Sequence, residues 1–486
     1  MATQTSQAAR AATETVERVP MLIGGEYRYS DSESDIVDPY HGDVVARAPN
    51  STAADLDEAI AAAVAARDEA ASMPGYKRAA LLRKVNVLLE ERLEDIARIM
   101  TRETGKAISD SRAELRRSQD TISLSAEEAV RIEGEHVPLD ATPMGAGKIG
   151  MLLRFPVGVV GSITPFNAPF NLACHKVAPA LAAGNTTVLK PPPQAPLTVH
   201  KMVELFVDAG LPAGFLNVVY GNEVGPKLVR DPRIDFISFT GSTKVGAEIK
   251  AASGLKRVAL ELGGTGQTIV HSDGDIETAA QLCARNATRL AGQSCISVQN
   301  VYAHADIYDR FVALLQAEVR KMKIGDPLAD DTDVGTLIDE AAARRVESWV
   351  KEAAAAGAKV LVGGNRKGAQ VEPTLLVDVD PSMKVVCNEV FGPVLSVQRY
   401  NDIETIFRLV SDLHLGLQCG IFTGSMPLAM RAIRSLRTGG VIINGTSTWR
   451  TDQLPYGGIK DSGIGREGPR YAIREMTDQR LVVFNL

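Results

Sequence analysis

The chain has 486 residues and a formal net charge of −6, with 45% apolar and 23% charged residues. This length implies about two or three domains, and an acidic balance without basic runs argues against nucleic-acid or anionic-membrane partners. The first residues lack an apolar core, and nowhere do about 18 apolar residues run together, which argues against a secretory signal or a membrane span.

Residues 1–19 read as a flexible tail. The capping pattern Thr52-x-x-Asp55 opens a helix with Leu56, Ile60 and Val64 on one face. A second helix is predicted from about Arg78 to Thr104. Leu82, Val85, Leu89, Leu93, Ile96 and Met100 recur there at helical spacing, and Gly105 stops it. From Val157 the pattern becomes strand then helix, repeated, with strands at Val157–Ile163, Thr186–Leu189, Phe215–Tyr220 and Ile234–Phe239. Such alternation implies an α/β fold with a parallel sheet covered by helices on both faces. A second αβ series follows Gly266 and runs to about Gly440. Arg480–Leu486 is an apolar strand with no helix after it. It needs a partner, and another subunit is one source.

The cysteines (Cys174, Cys283, Cys295, Cys387 and Cys419) are odd in number and lack CxxC spacing. That points away from disulfides and structural zinc, and toward a reducing compartment, the cytoplasm. Four lie in apolar patterns and are expected to be buried and inert. Cys295 differs. It stands in Ala291-Gly-Gln-Ser-Cys-Ile-Ser297, among small and polar residues, where a thiolate can attack an electrophile.

Several further residues have chemical promise and an ordinary alternative. Glu261 ends an apolar strand, where poor solvation raises a carboxyl pKa toward that of a general base; an ion-paired edge glutamate is the alternative. Asn167, in Thr164-Pro-Phe-Asn-Ala-Pro169, is held by prolines as a rigid amide donor suited to an oxyanion, or as a turn cap. Lys190 ends a strand and points toward a ligand crevice or toward solvent. Phe239–Gly246 joins a strand end to a helix start, whose free N–H groups suit phosphate, with Ser242 and Gly246 nearest the pyrophosphate. Glu389 and Phe391, fixed by a Gly-Pro turn, would bind ribose hydroxyls or shape a loop. Gly463-Ile-Gly465-Arg-Glu-Gly468 matches the dinucleotide fingerprint but follows a turn rather than a strand, and is rejected as a pyrophosphate loop.

Taken in order and spacing, Pro165-Phe-Asn167, Lys190-Pro191, Gly241–Gly246, Glu261-Leu-Gly-Gly264, Gly292-Gln-Ser-Cys295, Glu389-Val-Phe391-Gly-Pro393 and Pro455-Tyr-Gly-Gly-Ile-Lys460-Asp-Ser-Gly463 resemble the motifs of the NAD(P)-dependent aldehyde dehydrogenase superfamily. The resemblance spans residues 20–486 and implies that family's fold. Its parts would be a Rossmann-like coenzyme domain (20–134 and 156–263), a catalytic α/β domain (264–469) and a small oligomerisation flap (135–155 and 470–486). Cys295 would attack the aldehyde, Asn167 and the Cys295 N–H would hold the oxyanion, and Glu261 would activate the water that hydrolyses the thioester. Thr164, Phe166, Lys190, Gly241, Ser242, Gly246, Glu389 and Phe391 would hold NAD or NADP, and the chain would form a homodimer or homotetramer.

Members that pass the acyl group to coenzyme A generally lack a glutamate at position 261, so the resemblance favours release of a free acid. A non-catalytic protein of the same fold is the rival from another class. Many NAD-preferring relatives carry a glutamate where this chain has Pro193, so NADP, or both coenzymes, is expected. For the substrate, His175, Asn171, Ser294, Ile296 and Arg450 would line the access channel. The stretch from Ile443 to Glu467 looks most like the lactaldehyde, glyceraldehyde and phosphonoacetaldehyde dehydrogenases, which implies a short hydroxylated or anionic aldehyde.

Overall fold

A computed structural model describes residues 16–486, so the expected tail falls mostly outside the described residues. Its end needs correction. Glu17 and Arg18 pair in parallel with Ala46 and Arg47, and Val19 is fully buried.

Helix α1 (Ala53–Ser72) starts at Thr52, whose side chain accepts from the Asp55 N–H while the Asp55 carboxylate accepts from the Thr52 N–H. Helix α2 (Gly75–Thr104) ends where Gly105 takes a φ of 69°, a left-handed cap. A third helix, α3 (Ile108–Glu128), escapes apolar periodicity. Its buried side carries Ser111, Ser118 and Ser125 beside Ile108, Leu115 and Ile122. Small hydroxyl residues allow close packing and dilute the apolar signal. Ser118 and Ser125 satisfy their hydroxyls on the carbonyls of Glu114 and Thr121.

Two large sheets form the body. In the first, five parallel strands run in the order Arg257–Glu261, Phe236–Thr240, Val159–Ile163, Thr186–Lys190, Leu216–Val218. Gly463–Ile464 and Met21–Ile23 flank them antiparallel, and Glu26–Arg28 closes the far edge. The chain leaves Val159–Ile163 toward one edge and later returns to its other side as Phe236–Thr240, so strand order reverses between these two. A crevice opens beyond the carboxyl ends of strands at such a switch point. The second sheet runs Lys359–Val362, Thr374–Val377, Val394–Tyr400, Asn300–His304, Gln267–Val270, Gln418–Phe422, Gly440–Ile443, all parallel except the first.

The closing strand, Thr477–Asn485, finds its partner within the chain. It pairs antiparallel with Lys148–Pro156, which also pairs with Glu135–Val137.

Candidate active site

The switch point places two loops side by side: Thr164–Ala168 after one strand, and Gly241–Ser242 after the other. They separate a groove of about 600 Å³ from a cavity of about 380 Å³, and Pro165, Phe166, Thr240, Gly241 and Ser242 line both.

Cys295 lies in the cavity wall after a contorted turn. Leu290, Ala291 and Gly292 all have positive φ, at 54°, 50° and 73°. A Cβ on Gly292 would sit 2.1 Å from the Gly392 carbonyl oxygen, so only glycine fits there. The Cys295 thiol lies 3.2 Å from the Tyr456 hydroxyl. Burial pushes the thiol pKa up to about 12, and the Tyr456 hydrogen bond works the other way. Asn167 lines the same cavity and donates one amide N–H to the Gln293 carbonyl at 3.0 Å. Glu261 ends its strand facing the cavity, with Oε2 buried and unpartnered among the described residues. Burial, then the neighbouring Glu467, raises its pKa well above the usual carboxyl range, against Arg450, Lys176 and Arg466. Ser294 and Ile296 also line the cavity.

Arg450 lines the cavity wall, 3.6 Å from the Tyr456 ring centroid, and donates to Glu467 at 2.9 Å. Its Nε is buried and unpartnered among the described residues. Arg117, on α3, lines the cavity too and grips Asp452 through Nε at 3.1 Å and Nη2 at 2.6 Å. Burial works against ionised Asp452, yet His175 and Arg117 hold its carboxyl well below the usual range.

The expectation that His175 and Asn171 line the channel needs correction. Both are almost fully buried on helix α4 (Pro169–Ala183), and Leu172 is the residue of that turn that reaches the cavity. His175 Nε2 lies 2.8 Å from Asp452 and 3.3 Å from Arg450 Nη2, so it braces the arginines from behind. Asn171 accepts from the Thr121 hydroxyl at 3.0 Å.

In the groove, Lys190 has an amide partner, Asn222 Oδ1, at 3.3 Å, and burial lowers its pKa to about 8. Thr164 Oγ1 is buried and unpartnered among the described residues. A buried ammonium and an orphaned hydroxyl lining one groove fit the hydroxyls and phosphates of a dinucleotide. Ser242 caps helix α5 (Thr243–Ala252), accepting from the Val245 N–H. Gly246 does not line the groove, which corrects its expected place beside the pyrophosphate. A Cβ there would meet Leu262 Cδ2 at 2.4 Å, so its glycine serves helix packing. Glu389 lines the cavity, accepts from the Gly264 N–H at 3.2 Å, and is pushed up to about 7 by burial. Phe391 meets Phe166 edge to face at 5.9 Å. The rejected glycine motif pairs antiparallel with the Glu261 strand. Cys174, Cys283 and Cys419 are buried, but Cys387 is half-exposed, contrary to expectation.

Sequence reasoning missed Arg117, Lys176, Asp452, Tyr456 and Glu467. Arg117 rides on the unforeseen α3, and Glu467 hides inside the rejected glycine motif. Away from these groups, Glu17, His200 and Glu204 bring metal-ligand atoms within 4.8 Å of one another, but Lys201 already salt-bridges both carboxylates.

The aldehyde dehydrogenase family model matches residues 27–482. The 3-sulfolactaldehyde dehydrogenase of Priestia megaterium is 43% identical over 473 residues, covering 97% of this chain and 99% of that protein. Aldehyde dehydrogenase 21 from Physcomitrella patens, solved with the reaction product succinate, superposes with a TM-score of 0.95 at 40% identity over 97% of this chain and 99% of that one. The NADP-dependent glyceraldehyde-3-phosphate dehydrogenase of Bacillus halodurans, solved with NADP, gives 0.94 at 36% identity over 96% and 99%. With a thiol, a buried carboxyl and an amide gathered around one cavity at the mouth of a dinucleotide groove, this chain belongs to the aldehyde dehydrogenase family.

Proposed function

We propose that the chain oxidises a short anionic aldehyde to the free acid with NADP or NAD, a hydroxylated three-carbon sulfonate being the first choice. The observation that carries the substrate class is the placing of two guanidinium side chains, Arg450 and Arg117, in the wall of the cavity that holds Cys295. Burial opposes the charge on Arg450, but Glu467, Tyr456 and Asp452 keep it cationic. A planar guanidinium in such a wall suits a sulfonate, carboxylate or phosphonate oxygen. The similarity to a 3-sulfolactaldehyde dehydrogenase supports the same class.

Cys295, as thiolate, adds to the aldehyde carbon, and Asn167 with the Cys295 N–H receives the oxyanion. A bound nicotinamide coenzyme would supply the acceptor for the hydride lost from this carbon, which leaves the acyl group on Cys295 as a thioester. Glu261 then removes a proton from water as it attacks the thioester, releasing acid and thiol. Lys190 and Thr164 would hold the coenzyme hydroxyls, Ser242 with the start of α5 the phosphates, and Glu389 and Phe391 the nicotinamide end. Glu261 argues against transfer to coenzyme A, and fast alkylation of Cys295 would separate an enzyme from a non-catalytic relative. Among the described residues no helix is long and apolar enough to cross a membrane, and free thiols fit a cytoplasmic location.

The test is the initial rate of coenzyme reduction with 3-sulfolactaldehyde, phosphonoacetaldehyde and lactaldehyde, for wild type and Arg450→Met. A lost charged hydrogen bond is worth roughly 1.5–3 kcal/mol, so kcat/KM for the anionic aldehydes should fall about tenfold or more. Lactaldehyde should lose less, only what Arg450 contributes through Glu261, Cys295 and Tyr456 to every substrate. Equal losses on all three would remove Arg450 from anion recognition.

A further inference from the structure

One face of α3 carries Asp110, Glu114, Arg117 and Thr121, at the four-three-four spacing that aligns side chains on one side of a helix. Each reaches a different part of the site. Asp110 Oδ2 accepts from the Leu290 N–H at 2.9 Å, and Oδ1 lies 3.3 Å from Arg289 Nε. Leu290 is the first of the left-handed residues before Cys295. One turn on, Glu114 Oε1 accepts from the Phe170 and Asn171 N–H groups at 3.0 and 3.1 Å, the start of α4 immediately after Asn167. Glu114 Oε2 bonds Lys106 Nζ at 2.5 Å, and that ammonium donates onward to the Asn167 carbonyl at 3.0 Å.

We propose that Asp110 and Glu114 are positioning residues: anchored one turn apart on α3, they hold the Cys295 turn and the Asn167 loop in register. Neither touches the reacting atoms. Asp110 accepts a backbone N–H from the Cys295 turn, and Glu114 accepts two from the first turn of α4 and reaches the Asn167 loop through Lys106, so α3 works with the direct Asn167–Gln293 bond in setting the distance between oxyanion donor and nucleophile. The Leu290–Gly292 turn has a backbone that non-glycine side chains disfavour, and such conformations persist only where surroundings over-determine them. The Asp110 carboxylate is the anchor on that turn. Asn167 is likewise fixed from both ends, its carbonyl by Lys106 and its amide by the Gln293 carbonyl, which leaves one amide N–H to donate. Lys106 and Glu114 are 2% and 5% exposed, a depth at which an ion pair is justified by the geometry it imposes more than by stability.

The inference rests on reading Cys295 and Asn167 as the reacting pair. The experiment is a double-mutant cycle on the full chain with coenzyme, read as the single-turnover rate of coenzyme reduction, with coenzyme affinity and thermal stability measured alongside. Asn167→Ala alone tests the reading. A rate unchanged by it would end both the reading and the inference. Given a large loss, Glu114→Gln should slow the wild-type background about tenfold or more with coenzyme affinity unchanged, and the Asn167→Ala background less than about twofold, because a misplaced donor no longer matters once it is gone. Equal losses in both backgrounds would overturn the inference while leaving the reading intact. Should Glu114→Gln not fold, Asp110→Asn, whose side chain is 13% exposed, takes its place with Cys295 alkylation as readout. A change of at least about threefold in both alkylation and turnover supports the inference, and unchanged rates overturn it.

Discussion

The Tyr456 hydroxyl lies 3.2 Å from Cys295 Sγ, a thiol whose pKa burial pushes up to about 12. A phenol that donates to sulfur favours the thiolate over the thiol. Tyr456→Phe keeps the ring beneath Arg450 and deletes that donor. Losing a hydrogen bond to a charged partner costs roughly 1.5–3 kcal/mol, so the thiolate fraction at a fixed neutral pH should drop about ten- to a hundredfold. Iodoacetamide inactivation of the coenzyme-free enzyme should slow in proportion. An unchanged rate would mean that the Tyr456 hydroxyl does not support the thiolate.

Glu261 provides a second readout, through pH. Burial and Glu467 raise its folded pKa above the ordinary carboxyl value. Base-assisted thioester hydrolysis should therefore increase as pH rises through that raised value. Glu261→Gln should flatten the profile and leave a burst of about one equivalent of reduced coenzyme per site. Stability follows the opposite course. The folded state holds this proton more tightly than the unfolded chain does, so its contribution is present below the unfolded pKa and is lost as pH climbs toward the folded one. The Tm difference between Glu261→Gln and wild type should thus favour the variant more at about pH 9 than at about pH 5. A constant difference would show that Glu261 is ionised throughout.

The parts legible in the sequence were those whose physics is local. Thr52 and Asp55 announce a cap within four residues, and Gly105 a stop, so α1 begins and α2 ends where those residues put them. The five parallel strands of the first sheet read well because parallel strands buried on both faces are continuous apolar runs, whereas Met21–Ile23, Glu26–Arg28 and Gly463–Ile464 were not read as strands. Helix α3 was illegible because Ser111, Ser118 and Ser125 fill positions where periodicity looks for leucine. The brace behind Arg450 was illegible for another reason. His175 comes from a segment far from Arg450, Asp452 and Glu467 in the chain, and only the folded contacts reveal that it backs the wall rather than forming it. Gly246 followed the same logic. A glycine beside a phosphate and a glycine beside Leu262 look alike in sequence.

Pro193 offers a test of coenzyme choice. It lines the groove with Lys190, Gln194 and Arg230, so the carboxylate that would repel an extra phosphate is missing from this position, although Glu248 also borders the groove. Pro193→Glu places a negative charge there. Like charges about 4 Å apart at an effective dielectric near 20 repel by about 4 kcal/mol before solvent screening. The ratio of kcat/KM for NADP over NAD should therefore fall by at least about tenfold, mostly through KM for NADP. A ratio that stays constant would mean that the adenosine end of the coenzyme lies elsewhere in the groove. Lys190→Met should raise KM for both coenzymes, since it removes a buried cation from the groove.

The strand Thr477–Asn485 bears on assembly. One side is paired along its whole length with Lys148–Pro156, but it ends its three-stranded sheet, so its other edge has no strand partner among the described residues. Leu481, Val483 and Phe484 are 58%, 41% and 47% exposed along it. A long apolar edge of this kind invites pairing with another chain, and natural proteins that stay monomeric blunt such edges with charge or proline. We propose that a second copy covers it, as the resemblance to homodimers and homotetramers implied. Leu481→Lys with Val483→Lys puts two like charges on one face of the edge without disturbing its intramolecular pairing. Light scattering at about 10 µM should give a multiple of the chain mass for wild type and a smaller assembly for the variant, with Tm lowered by the lost burial. A monomeric wild type, or a variant with unchanged mass, would show that this edge is not the subunit contact.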